Sequence, residues 1–213
     1  MVAPILRPAA DGAPPDMELT LKLFRRSRKR VLTVRLTARV EPMQRGKLYE
    51  DPLDAFLRES PLDASVDGGG TMLSPDGEVQ FCDIEIDVRG DDDDAVAAAV
   101  VRHLEAIGVP KGCSVSDQDG RVVATFGTLD GLGLYLNGTD LPDEVYANSD
   151  TNELVAAVDT ALGETGRRIG DWHGPDETAI YLYGPNADAM RLRLQPLLDS
   201  RPDMQLSRLV PIT

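Results

Sequence analysis

The sequence predicts an α+β protein made of two similar halves, because the same order of elements recurs 100 residues further along the chain. In the first stretch, Pro75-Asp76-Gly77-Glu78 forms a turn that leads into an apolar-patterned strand and then a helix. In the second, Pro175-Asp176-Glu177-Thr178 leads into the same two elements. A further apolar strand follows each helix. The repetition indicates a duplicated scaffold.

Hydrophobic alternation predicts the strands of the first half. From Val31 to Val40, apolar residues alternate with threonine and arginine, which is typical of a half-buried strand. Asp51-Pro52 starts a short helix, since proline is well tolerated at the first helical position. The other predicted elements, in chain order, are a strand at 64–73, a strand at 78–88, a helix at 91–107 and a strand or hairpin at 113–126.

The second half repeats this order. Asp150 is expected to begin its first helix, because an aspartate at that position accepts hydrogen bonds from backbone N–H groups two or three residues later. The predicted elements, in chain order, are a strand at 132–137, that helix, a strand at 167–172, a strand at 178–183, a helix around 190–198 and a strand at 206–212.

The order βαββαβ in one compact unit is the ferredoxin-like motif. Each half is therefore expected to form an antiparallel sheet with both helices on one face, the other face open, and the first and third strands in the centre. The predicted regions are a disordered tail at 1–17, an apolar segment with a polybasic run at 18–30, half one at 31–127 and half two at 128–213.

The net charge of −14 argues against nucleic acid as a partner, because phosphate binding needs clustered cations. It fits either a basic protein partner or an acidic solvated surface. Residues 18–30 are basic, in contrast to the acidic charge of the chain as a whole. Three alternatives stay open for them: a membrane-surface anchor, a nucleic-acid arm, or a short strand followed by a solvated basic tail.

The two cysteines, Cys82 and Cys113, stand apart, without the histidine spacing of a zinc site or the number that a disulfide framework needs. No cofactor and no metal is predicted. A reducing cytoplasm is the simplest setting for two free cysteines. No stretch is apolar and long enough to predict a membrane span, and the first residues lack the order of a signal peptide.

Charged residues are predicted on the open face of the first half. They are Arg35 and Arg39 on the first strand and Asp83, Glu85 and Asp87 on the third. Opposite charges on adjacent strands predict a ladder of ion pairs. The alternative is a metal or cation site built from the three carboxylates, although a calcium loop needs glycine where Val88 stands.

Aromatic residues are predicted on the open face of the second half. Tyr135 lies on its first strand and Tyr181 and Tyr183 lie on its third, while Trp172 and His173 end the adjoining strand. Three uses are open: stacking of RNA bases, packing against the other half or a partner protein, and lining of a ligand cleft between the sheets. The RNA-recognition signature is absent, which disfavours the first.

No catalytic motif stands out. Gly68-Gly69-Gly70-Thr71 lacks the lysine and the following helix of a phosphate loop, and no serine lies in a nucleophile elbow. Of the two histidines, His173 is the better candidate for function, since His103 belongs to an apolar helix face.

The leading hypothesis is therefore a non-enzymatic cytoplasmic binding or regulatory protein. It would act through its acidic surface or its aromatic sheet face, for example by neutralising a basic protein. The alternatives are a small-molecule-binding protein or enzyme with its site between the halves, and a membrane-surface protein held by residues 18–30.

Four segments carry a resemblance to a known type of protein. They are Gly68-Gly69-Gly70-Thr71, Phe81-Cys82-Asp83-Ile84-Glu85-Ile86, residues 138–146 and residues 181–185. In these segments the chain resembles uncharacterised bacterial proteins of a domain-of-unknown-function type, over most of residues 31–213. The resemblance implies a stand-alone cytoplasmic protein. It implies no activity and no functional residues.

Overall fold

The computed structural model describes residues 30–90 and 92–213, which form two antiparallel sheets with helices packed on them. It confirms the α+β fold with two tandem ferredoxin-like halves. The predictions for residues 1–17, and for residues 18–30 except Arg30, lie outside the described residues. Within the described part of the chain, every helix is too short or too polar to span a bilayer.

Half one contains five strands. Its elements are β1 (Arg30–Leu36), α1 (Pro42–Arg45), a π-helical turn (Gly46–Glu50), α2 (Asp51–Glu59), β2 (Ala64–Leu73), β3 (Val79–Val88), α3 (Asp93–Ile107), β4 (Cys113–Ser116) and β5 (Val122–Phe126). The strand order β2-β3-β1-β4-β5 is the ferredoxin-like order with one strand added at the edge. The hairpin expected at 113–126 supplies this strand as β5.

Half two contains four strands. Its elements are β6 (Asp130–Asn137), α4 (Asp143–Ala147), α5 (Thr151–Leu162), β7 (Arg167–His173), β8 (Glu177–Gly184), α6 (Ala187–Ser200) and β9 (Arg208–Pro211). The strand order is β7-β8-β6-β9. As expected, Asp150 caps α5, because its carboxylate accepts the backbone N–H groups of Asn152 at 2.8 Å and Glu153 at 3.3 Å.

Each half has a core between its helices and its sheet. In half one, Val34 on β1 and Ile84 on β3 pair directly and are fully buried beneath the helices. In half two, Leu134 on β6 and Ile180 on β8 pair in the same way. The alternation of apolar side chains along each strand produces these cores, because alternate residues point to the same face of a sheet.

The first strand is shorter than its sequence pattern predicts. β1 ends at Leu36, although Ala38 and Val40 continue the alternation and are fully buried. The chain leaves the sheet here to reach α1. The side chains of Ala38 and Val40 stay buried because they remain part of the core of half one.

Candidate functional site

The tyrosine face of half two, formed by Tyr135, Tyr181 and Tyr183, packs against half one. The three residues are 6 %, 0 % and 0 % exposed. The expectation that this sheet face is open is therefore wrong, and the tyrosines do not line a ligand cleft, which was one of the three alternatives for them. The structure shows the packing alternative, which buries a large apolar area while giving each hydroxyl group a polar partner.

We call the contact between the tyrosine face and residues 37–44 and 74–78 of half one the junction. At its centre, Glu78 Oε1 accepts hydrogen bonds from the hydroxyl groups of Tyr135 at 2.5 Å and Tyr181 at 2.9 Å. Glu78 also forms an ion pair with Arg39. The Arg39 backbone N–H donates to the Tyr183 hydroxyl at 2.8 Å. One carboxylate thus holds two tyrosines and an arginine together.

Arg39 was expected on the open face of the first sheet, and this prediction is wrong. Because β1 ends at Leu36, Arg39 lies in the connection to α1, where its guanidinium donates to the Tyr135 hydroxyl at 3.0 Å. Burial is the main reason why the pKa of Tyr135 rises to about 12, and the hydrogen bond to Glu78 adds to it. The tyrosine therefore stays a neutral donor at ordinary pH.

Strand β7 extends the junction along one side. The Trp172 indole N–H donates to the Asp76 carbonyl at 3.3 Å. A Cβ atom at Gly170 would lie 2.6 Å from the Arg39 carbonyl oxygen, so only glycine permits this close approach. Trp172 therefore belongs to the contact between the halves.

Of the ionic ladder predicted on half one, the described residues show the pair between Arg35 and Asp83. Arg35 and Asp83 stand directly opposite each other, with Nε–Oδ1 and Nη2–Oδ2 distances of 2.9 Å. The Arg35 guanidinium also lies over the Phe81 ring, 3.9 Å from its centre. The Arg35 side chain is 49 % exposed, so the pair adds little to stability.

The three carboxylates of β3 do not form one exposed cluster. Glu85 is exposed, but Asp87 is only 4 % exposed, and the prediction that it faces solvent is wrong. Asp87 lies on an interior strand, between Val31 on β1 and Ser65 on β2. Across residues 30–90 and 92–213, no three His, Cys, Asp or Glu side chains stand close enough together to hold a metal ion.

A cavity of about 600 Å³ lies in half two, between α5 and the helix-facing side of β6, β7 and β8. We call it the half-two cavity. Its floor is apolar and largely buried, and is made of Leu136, Leu154, Val155 and Ile180. Its rim is polar, and includes Tyr146, Ser149, Asp159, Arg168, Asp171, His173, Thr178 and Asp203.

The rim side chains hold one another in place. His173 Nε2 lies 3.2 Å from Asp171 Oδ2, and His173 Nδ1 lies 3.4 Å from the Thr178 hydroxyl. Arg168 Nε lies 3.5 Å from Asp159 Oδ1. These pairs place a carboxylate and an imidazole on one side of the mouth, and a second carboxylate with its guanidinium on the other.

Hydrogen bonds also connect the residues of the cavity wall that contains Tyr146, Ser149 and Asp203. The Tyr146 hydroxyl donates to Asn137 Oδ1 at 3.0 Å and accepts the Leu141 N–H at 3.0 Å. Ser149 donates to Asp203 at 3.1 Å. The hydrogen bonds from Arg201 are the main cause of a lowered pKa for the Asp203 carboxyl group. The Asp203 carboxylate in this wall is therefore already paired with a guanidinium.

Trp172 and His173 lie at different sites, whereas the alternative of a ligand cleft between the halves had both residues lining it. Adjacent residues on a strand point to opposite faces of the sheet. Trp172 accordingly reaches the junction, while His173 reaches the half-two cavity and is 69 % exposed at its side chain. The alternation of Asp171 and His173 along β7, facing Thr178 on β8, was the one sequence signal that pointed to this cavity.

The comparisons with known proteins give little information about function. No protein-family model matches the chain, and no curated protein matches it. Among solved structures, the chain is similar to an unknown protein from Galdieria sulphuraria, with 14 % identity, coverage of 86 % of this chain and 96 % of that one, and a TM-score of 0.28.

Two further similarities are to named proteins. One is a protein described as a candidate monooxygenase from Lactobacillus acidophilus, with 13 % identity, coverage of 87 % and 94 %, and a TM-score of 0.30. The other is a chlorite dismutase from Candidatus Nitrospira defluvii, with 9 % identity, coverage of 91 % and 94 %, and a TM-score of 0.26. Similarities this low carry no argument about function, and the fold rests on the strand order.

Proposed function

We propose that the protein binds a small molecule in the half-two cavity and does not act on it chemically. The observation that carries this proposal is an apolar floor beneath a polar rim, in a cavity of about 600 Å³. Ligand sites commonly have this form, because apolar walls supply affinity and a few polar groups fix the orientation. The site lies within half two, since the tyrosines fill the space between the halves.

The histidine of the rim is held on both ring nitrogens. Asp171 and Thr178 contact them at 3.2 and 3.4 Å. This arrangement orients the imidazole toward the mouth of the cavity as a polar contact for a ligand.

The proposal is tested with 1-hexanol as a neutral amphipathic probe, followed by the NMR signals of the protein's methyl groups. The expected shifts are at Leu154, Val155 and Ile180, which form the floor. Ala156 is exposed on α5 and lines the mouth, so Ala156→Trp should fill the cavity and abolish the shifts without unfolding the protein.

The matched control is Thr160→Trp, one helical turn further along α5, at an exposed residue that does not line the cavity. It should leave the shifts unchanged. The proposal fails if hexanol moves no floor signal, or if Ala156→Trp binds hexanol as well as Thr160→Trp does.

A second candidate function is the binding of a basic protein through the acidic surface. A groove of about 370 Å³ beside the junction favours it, since Asp76, Asp140, Asp176 and Glu177 line this groove next to Trp172. Opposite charge speeds the encounter of two proteins. The aromatic-face version of this function is dropped, because the tyrosines are buried.

Its test is the retention of basic proteins from lysate at low salt and their loss at high salt. Asp140→Asn with Asp176→Asn should reduce retention, whereas Asp188→Asn with Asp199→Asn, which removes equal charge from exposed positions on α6, should not. Equal retention by the two double variants would exclude the groove. The membrane-surface alternative for residues 18–30 stays a prediction.

A further inference from the structure

The charge balance at the mouth of the half-two cavity indicates the class of its ligand, and this inference rests on the proposed function. Three carboxylates line the cavity, those of Asp159, Asp171 and Asp203. Two of them have a guanidinium partner. Arg201 Nη2 lies 2.6 Å from Asp203, and Arg168 Nε lies 3.5 Å from Asp159. Among residues 30–90 and 92–213, the third carboxylate has no guanidinium partner.

Asp171 is this third carboxylate. Its ionic contact is with His173, whose imidazole cancels the negative charge only when it is protonated. The Asp171 side chain is 42 % exposed, so it is open to a ligand that enters the mouth. Below it lie Leu154 and Ile180, which are buried side chains of the floor.

The surroundings strengthen the negative potential at this point. The groove lined by Asp76, Asp140 and Asp176 adjoins the cavity, because Asn137 lines both. The chain as a whole carries a net charge of −14. A cleft lined by one sign of charge concentrates ions of the opposite sign at its mouth.

We infer that the ligand of the half-two cavity is a small amphipathic amine, whose ammonium group lies against Asp171 and whose apolar body lies on the floor. An ammonium group donates a charge-assisted hydrogen bond to a carboxylate, which is stronger than a bond between neutral groups. Arg168 stays paired with Asp159, so a carboxylate ligand would have to separate an existing ion pair.

Three probes with the same alkyl chain separate the possibilities: n-hexylamine, 1-hexanol and hexanoate. Their dissociation constants are measured by NMR titration at about pH 8, where an ordinary imidazole is neutral and the amine is charged. Hexylamine is expected to bind about tenfold more tightly than hexanol, the equivalent of one charge-assisted hydrogen bond. Hexanoate is expected to bind more weakly than hexanol.

Asp171→Asn keeps the size of the side chain and removes its charge. It should bring the affinity for hexylamine down to that for hexanol, and leave the affinity for hexanol unchanged. Asp188→Asn removes one charge from an exposed position on α6 outside the cavity and should keep the tenfold preference. Circular dichroism checks that both variants are folded.

The results distinguish failure of the amine inference from failure of the proposed function. Equal binding of the three probes at the floor, or tighter binding of hexanoate, would overturn the amine inference and leave the small-molecule proposal standing. So would a loss of the preference in Asp188→Asn as large as in Asp171→Asn, because the preference would then reflect overall charge. If no probe moves a floor signal, the proposed function fails together with the inference.

Discussion

The hydroxyl group of Tyr181 donates to Glu78 Oε1 at 2.9 Å, between residues 103 positions apart in the chain. Tyr181 stands in the centre of the second sheet, and Glu78 ends the turn before β3 of the first. The bond therefore joins the face of one sheet to the end of the other. The two ferredoxin-like halves have become unequal, since only half two has both faces of its sheet covered by the chain described here.

Removing the carboxylate at the centre of the junction should destabilise the protein strongly. Glu78→Ala leaves two tyrosine hydroxyl groups and the Arg39 guanidinium without their shared acceptor. The free energy of unfolding should fall by about 2–3 kcal/mol, because buried polar groups are costly when unpaired.

Urea unfolding followed by circular dichroism measures this effect. Glu85→Ala is the control, since Glu85 is an exposed glutamate of the same half on β3. It should change the free energy of unfolding by less than about 0.5 kcal/mol. Similar losses in the two variants would mean that the hydrogen bonds of the junction contribute nothing of their own.

Alkaline pH should loosen the junction once the pH exceeds the ordinary tyrosine pKa of about 10. Burial, more than the bond to Glu78, raises the pKa of Tyr135 to about 12, and burial also raises the pKa of Tyr181 and of Tyr183. In the unfolded chain these groups titrate near about 10. Their contribution to stability is thus fully present below about pH 10 and is lost as the pH rises through the folded values.

The measurement is the free energy of unfolding between about pH 9 and pH 12, in the wild type and in Tyr135→Phe. The phenylalanine cannot ionise, so the decline with pH should be shallower by the equivalent of one proton. Identical slopes in the two proteins would show that Tyr135 ionises as readily in the folded state as in the unfolded chain.

Two neighbouring glycines on β2 should respond oppositely to alanine. A Cβ atom at Gly69 would lie 2.4 Å from the Asp83 carbonyl and 2.7 Å from Glu50 Oε1, which pairs with Arg45 beneath the strand. At Gly70, a Cβ atom would have nothing within 4 Å.

Gly69→Ala should therefore lower the free energy of unfolding by about 1–3 kcal/mol, the range for an overpacked site. Gly70→Ala is its matched control and should be neutral or slightly stabilising, since alanine restricts the unfolded chain more than glycine does. Thermal unfolding of the two variants decides the matter, and equal melting temperatures would contradict it.

Acidic pH should weaken the interactions of Asp130, at the start of half two, with Lys111 and Ala187. Asp130 accepts from Lys111 Nζ at 2.6 Å and from the Ala187 N–H at 3.0 Å, and these bonds, the lysine first, lower the pKa of its carboxyl group. Its folded pKa lies below the unfolded value of about 3.9. The stabilisation is thus present above about pH 4 and is lost as the pH falls through the folded value.

Asp130→Asn should cost about 0.5–1 kcal/mol at neutral pH, a value suited to a partly exposed ion pair. The difference from wild type should shrink below about pH 4. Asp176→Asn, at an exposed aspartate, should show no such dependence. A gap that stays constant down to acid pH would contradict the role of the Asp130 charge.

The sequence was sufficient for the fold because burial of one sheet face leaves a local trace. Val34 and Ile84 alternate with polar neighbours, Leu134 and Ile180 alternate with glycine, alanine and tyrosine, and all four lie in a core as expected. The tyrosines were likewise placed correctly on one face. What covers that face left no local trace, because Arg39 and Glu78 are separated by 39 positions and meet only in the folded chain.

The end of β1 shows why the site was harder to predict than the fold. Ala38 and Val40 keep the period of a strand after the strand has ended, because their side chains remain in the core of half one. A periodic pattern reports burial and not hydrogen bonding, so Arg39 was assigned to the wrong surface. The half-two cavity draws its walls from β6, α4, α5, β7 and β8, and no single segment contains its pattern.

The junction makes the order of the two halves along the chain important during synthesis. The atoms that half one contributes to it are those of a turn and a connection, which water solvates well before the partner arrives. Half two contributes three aromatic rings, 0–6 % exposed in the finished molecule. Because the N-terminal half leaves the ribosome first, the residues of half one that cover the tyrosine face have already been synthesised when that face emerges. With the opposite gene order, an aromatic sheet face would emerge without its cover and would be prone to aggregation.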